Sequence, residues 1–87
     1  MCTYIGHTVS VSGAGKGAGG WFRLTEAVVG YDHPSHAGDD HAILIDFTNQ
    51  AAGPSARVAV ELDLESSRVL LARLAETIRA ADASGLA

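Results

Sequence analysis

The sequence predicts an α+β fold: a four-stranded antiparallel meander followed by one C-terminal helix packed on one face. Apolar residues recur at every second position in four separate segments, the period of a half-buried strand. The connections between those segments are short and polar or glycine-rich, which favours antiparallel neighbours. The last segment changes to helical spacing. With 87 residues, the chain has room for a single domain over 1–87 and none for separate catalytic and binding domains.

Residues 3–12 alternate, with Ile5, His7, Val9 and Val11 on one side and Tyr4, Gly6, Thr8 and Ser10 on the other. Residues 13–20 hold no apolar side chain larger than alanine and only Lys16 as a charge, so they read as a flexible connection. The second strand, 21–31, carries Phe22, Leu24 and Val28 on one face and Trp21, Val29 and Tyr31 on the other. Pro34 and Gly38 mark 32–40 as a loop. The third strand, 41–48, sets Ile43, Ile45 and Phe47 opposite Ala42, Leu44 and Asp46. After turn material at 49–55, the fourth strand, 57–62, places Val58, Val60 and Leu62 inward and Arg57 and Glu61 outward.

The helix is expected over 64–81. Asp63 is a fitting N-cap and Glu65 suits the first turn, while Val69 or Leu70, Leu74, Ile78 and Ala81 recur at helical spacing. The tail from Asp82 is expected to fray. One helix covers one side of a four-stranded sheet, yet strands two and three carry large apolar groups on both sides, so the second side needs a partner. The expectation is a homodimer packed sheet against sheet. The alternative is a sheet that curls into a partial barrel and covers itself.

Hydrophobic residues make up 47% of the chain and charged residues 18%, a balance that builds a core and excludes disordered, collagen-like and coiled-coil classes. The formal net charge is -4, with six scattered Lys and Arg. Nucleic acid is therefore not an expected partner, since phosphate binding needs clustered positive charge. No apolar run approaches the roughly 20 residues of a bilayer crossing, and the start has no export-signal pattern. The expected location is cytoplasmic, in keeping with one cysteine, Cys2, that has no internal disulfide partner.

Two patterns invite a functional reading. Gly15-Lys16-Gly17-Ala18-Gly19-Gly20 matches the glycine string that holds dinucleotide phosphates, but that use requires a helix to begin there, and a strand follows. The phosphate-loop form needs Ser or Thr after its Gly-Lys, where Gly17 stands. A long hairpin connection whose glycines permit positive φ is the reading adopted. Its alternative is a mobile lid with Lys16 as an anion contact.

The second pattern is Asp32-His33-Pro34-Ser35-His36-Ala37-Gly38-Asp39-Asp40-His41. Imidazole with carboxylate is the ligand set of a divalent metal ion, zinc first, with iron, manganese or copper as alternatives. In a meander, the end of strand two, the start of strand three and the start of strand one share one edge of the sheet. His7, His33, His36 and His41 are thus expected to converge as metal ligands. Asp40 or Asp32 would orient a ligand ring or act as general base, as candidate catalytic residues. The spacing lacks the paired cysteines of a zinc finger, so an open site is expected. The alternatives are hydrogen-bonded acid-base chemistry without a metal and, more plainly, a solvated loop in which His33 caps the strand and Asp32 and Asp39 make side-chain turns. Cys2 reads as a small buried residue, and Glu61 and Asp63 are reserve carboxylates at the same edge.

Four segments carry a resemblance over nearly the full length: Met-Cys-Thr-Tyr-Ile at 1–5, Lys16-Gly17-Ala18-Gly19-Gly20-Trp21, Tyr31-Asp32-His33-Pro34-Ser35-His36-Ala37, and Ala56-Arg57-Val58-Ala59-Val60-Glu61-Leu62. The chain resembles a set of small bacterial proteins of unknown function, often encoded near natural-product biosynthesis genes. The resemblance carries over no activity. It implies a free-standing cytoplasmic protein with a role in making or handling a secondary metabolite.

Two functions are therefore expected as alternatives. One is a metal-binding protein, or a metal-dependent enzyme acting on a small molecule in secondary metabolism, with a histidine-rich site at one sheet edge. The other is a metal-free dimeric ligand-binding or accessory module whose small-molecule pocket lies between sheet and helix, lined by Trp21 and Tyr31.

Overall fold

The computed structural model describes residues 5–36, 38 and 40–86. Four strands, β1 (Ile5–Gly17), β2 (Gly20–Asp32), β3 (Ala42–Thr48) and β4 (Arg57–Leu62), form one antiparallel sheet in the order β1-β2-β3-β4. A single 3-10 turn, Gln50–Ala52, lies between β3 and β4, and helix α1 (Leu64–Ser84) follows. The α+β class and the meander are those the alternation predicted.

The glycine-rich segment departs from the expected flexible connection. β1 continues through it to Gly17 and turns within two residues into β2, with Gly15 paired to Phe22 and Lys16 to Trp21. Of the glycines here only Gly20 has a positive φ, 110°, so the rest serve another purpose. A Cβ on Gly15 would lie 3.0 Å from Leu24 Cδ2, and one on Gly17 would lie 3.1 Å from both the Ser55 and Arg57 carbonyl oxygens. Glycine lets the hairpin arm approach its neighbours closely. A register shift between Ser10 and Gly13 increases the local twist, and the arm beyond it reaches the start of β4, the opposite edge of the sheet. The curling weighed as an alternative thus occurs at this end.

Strand register sorts the side chains into two faces. On one, three consecutive rungs read Ile5, Tyr31, Ile43, Leu62; then His7, Val29, Ile45, Val60; then Val9, Ala27, Phe47, Val58. His7 is the only ionisable side chain in these rungs apart from the Tyr31 phenol. The other face is mixed and carries Glu26, Asp46, Arg57 and Glu61 beside Val28 and Leu44. The curled hairpin arm, with Phe22 and Leu24 on the same alternation as Val28, turns toward this mixed face at the start of β4; at the opposite end of the same face Ala42 is fully buried.

Helix α1 begins where Asp63 predicted, with its Oδ1 accepting from Ser66 N at 2.7 Å. It runs through Asp82 to Ser84 and ends at Gly85 in the left-handed conformation, φ 73°, a common helix stop. The expected fraying from Asp82 is therefore replaced by a capped last turn. The helix meets the sheet chiefly at β3 and buries no residue. A single residue, Asp63, links β4 to α1, which leaves no length of chain to turn the helix back over its own sheet. Its contact with the apolar face is at its first residue, Leu64.

Candidate functional site

A cleft of about 470 Å³ opens on the apolar face, lined by Ile5, His7, Val29, Gly30, Tyr31, Ile43 and Leu64. β1, β2 and β3 form its floor, and Leu64 at the start of α1 forms its wall. The volume falls within the usual range of small-molecule sites, and the lining is of the usual kind, apolar with a few polar groups. Here the two lining residues that carry polar groups are His7 and Tyr31, and nearly all of the lining surface is apolar.

A row of rings continues from the cleft. Tyr31 stacks on His41 with centroids 5.3 Å apart and planes 22° from parallel. His41 in turn lies 4.4 Å from the His33 ring centroid, tilted by 34°. His33 Nδ1 is 2.8 Å from the Asp40 backbone oxygen. A carbonyl only accepts, so Nδ1 carries the hydrogen and Nε2 of the neutral ring keeps its lone pair. Asp32 Oδ1 accepts from the His33 backbone N–H at 2.7 Å, fixing the point where the chain leaves β2.

The middle of the loop lies toward the mixed face. Glu61 accepts from the backbone N–H groups of Ser35 and His36, at 2.8 and 2.7 Å, one on each carboxylate oxygen. The side chain of Glu61 is 20% exposed, whereas that of His36 is 91% exposed. His36 borders a recess with Arg57, Ala59 and Glu61, and Arg57 forms a two-pronged pair with Asp46, both bonds 3.1 Å. Glu61 is the positioning residue that sequence reasoning left as an outward reserve carboxylate. Its acceptors serve backbone groups 25 and 26 positions away, and no sequence signal marks such a pairing.

A family model matches residues 1–87. The chain belongs to the family of unknown function DUF6295. No curated protein and no solved structure matches it. Because DUF6295 spans the whole chain, the cleft and the histidine-bearing loop both lie within the family's unit.

Within this DUF6295 chain the four histidines are distributed differently from the expected convergence. His33 and His41 come together. His7 pairs with Val29, two strands from His41 and four positions along, so its backbone lies roughly 14 to 17 Å from those of His33 and His41 at ~3.4 Å per residue and ~4.8 Å per strand. His36 borders the recess on the opposite face. The shared edge was legible, but His7 lies inward of it by two residues, while the loop extends beyond it. Among the described residues no group of three His, Cys, Asp or Glu is arranged to hold a metal ion.

Asp40 orients His33 through its backbone oxygen, and Asp32 holds a backbone N–H; the expected carboxylate-to-imidazole contact is not what places the ring. Trp21 stands at the far end of the hairpin, 72% exposed, and borders a separate recess with Phe22 and Ala56, so of the two expected lining aromatics only Tyr31 lines the cleft. Lys16 lies within a paired strand arm in place of the weighed lid. Cys2, Ala37 and Asp39 lie outside the described residues. No helix among the described residues is long and apolar enough to cross a membrane.

Proposed function

We propose that this chain is a small-molecule-binding module that takes a largely apolar, uncharged ligand into the cleft between sheet and helix start. The observation that carries the reading is the cleft itself: about 470 Å³, apolar throughout its lining except for His7 and Tyr31. A flat ring would lie on the floor of Ile5, Val29 and Ile43 against Leu64, with a hydroxyl or carbonyl at its edge directed to the His7 imidazole or the Tyr31 phenol. Titration with 2-naphthol, followed by 1H–15N NMR, tests this. Shifts are expected at His7, Val29, Tyr31 and Ile43, and Tyr31→Phe should weaken binding by about 3- to 10-fold, the value of one hydrogen bond. Ile5→Trp, which fills the cleft from the edge strand, should abolish the shifts. Shifts confined to the recess around His36, or scattered over the surface, would overturn the reading.

A second reading rests on the imidazole pair. His33 has its Nδ1 held by the Asp40 backbone oxygen and its Nε2 lone pair available beside His41, the arrangement of an oriented ligand. A divalent ion there, zinc first, would take both imidazoles and need further donors from the ligand or from residues outside those described. Elemental analysis of untagged protein separates the two readings. Stoichiometric zinc that disappears in a His33→Ala, His41→Ala double variant supports the metal; metal-free protein that still binds 2-naphthol removes it.

A further inference from the structure

We infer that the occupant of the open apolar face is a second copy of this chain, seated so that the α1 helix of each protomer lies across the sheet of the other. The two surfaces are independent: the helix stripe is exposed, and the sheet floor is half-buried at Ile45, Phe47, Val58 and Val60, with Ala27 buried at its centre. Leu70, Leu71, Leu74 and Ile78 fall on one side of α1 and are 52%, 68%, 55% and 53% exposed. The rung of Val9, Ala27, Phe47 and Val58 and the rung of Ile45 and Val60 form an apolar floor, with Val9 itself 49% exposed.

An isolated helix of this composition is marginal in water and draws its stability from an apolar face that is packed. The one-residue link at Asp63 keeps that face from its own sheet.

The area agrees. A compact monomer of 9.0 kDa exposes about 4,900 Å² by the size scaling of folded proteins. This chain exposes 6342 Å², an excess of about 1,500 Å², so two copies that removed it would bury about 3,000 Å² between them, within the range of obligate homodimers. The Cα radius of gyration says the same: 14.7 Å against about 12 Å for a compact chain of this length. Packing sheet on sheet would leave the helix leucines in water. Reciprocal helix-on-sheet packing covers both surfaces, is related by a twofold axis and closes at two copies. It goes beyond the ligand reading, because the helix crosses the Phe47 end of the face and the cleft sits at the Tyr31 end.

Sedimentation equilibrium of the untagged full chain should give twice 9.0 kDa. In a mixed sample of 13C-labelled and unlabelled protomers, isotope-filtered NOEs should join the Leu74 and Ile78 methyls of one copy to Phe47 and Val58 of the other. Leu74→Glu should weaken association by about 30-fold or more, as for a central interface residue. Val69→Glu should leave it unchanged, since Val69 is equally exposed, at 50%, but lies on the charged side of α1. A monomer at all concentrations overturns the inference. So does a dimer whose filtered NOEs join sheet to sheet alone, and because that readout uses the natural sequence it holds even if Leu74→Glu does not fold.

Discussion

The two faces of the sheet are finished by opposite means. The mixed face, with Glu26, Asp46, Arg57 and Glu61 among its residues, is approached by the chain itself at its two ends: at one by the curled hairpin arm, at the other by the loop that Glu61 holds. The apolar face, whose three rungs contain no charged carboxylate, lysine or arginine, meets Leu64 at the start of α1. Directed contacts explain the difference. A carboxylate facing two N–H groups, or a glycine that admits a carbonyl oxygen, closes a polar surface with a few residues. Closing an apolar surface takes area, which one helix joined by one residue does not deliver to its own sheet.

Breaking the loop end of the mixed face should give the largest effect. Glu61→Ala removes two charge-assisted hydrogen bonds from a largely buried carboxylate, and chemical denaturation should report a loss of about 2 kcal/mol. The amide resonances of residues 35 and 36 should shift, while those of the cleft stay in place. If the stability is unchanged, the loop is not what closes that end. Lifting the other end should have a somewhat smaller effect. Gly17→Ala sets a methyl 3.1 Å from two backbone oxygens, which cannot rotate clear, and from the Phe22 ring, and should cost about 1 to 2 kcal/mol. Gly13→Ala, with nothing within 4 Å, is the matched control and should be neutral or stabilising by about 0.5 kcal/mol. Equal losses at the two positions would mean that strand propensity, and not close approach, explains the glycines.

These contrasts show what could be read from the residues alone. Strand phases were legible because alternation is local: Ile43, Ile45 and Phe47 do share a face, and Asp63 does cap α1. The hairpin arms were not, because glycine has little strand preference of its own and only the pairing of Gly15 with Phe22 and the neighbouring β4 backbone reveal its use. The site was legible in part for a similar reason. Phase put His7 and His41 in apolar rows and the meander put His33 at the same edge, but how far His7 lies from the loop depends on register, which the pattern of one strand does not encode. The grip of Glu61 on Ser35 and His36 depends on the fold as a whole.

The mildest test addresses the element that carries the second apolar surface. The Asp63 carboxyl is held below its ordinary range by hydrogen bonds from the Ser66 hydroxyl and from the Ser66 backbone N–H. In the unfolded chain it returns to that range, so the cap's contribution is fully present above the ordinary aspartate range and is lost as pH falls through the lowered folded value. Asp63→Ala should therefore reduce the far-UV helical signal and the thermal midpoint at neutral pH, by less than Gly17→Ala does. Asp63→Asn, which caps without titrating, should keep the helix at neutral pH and flatten the acid limb of the helical signal. An acid limb that is the same in the natural chain and in Asp63→Asn would show that α1 is held by packing of its leucine stripe rather than by its cap, moving the weight of the helix's stability onto the apolar side.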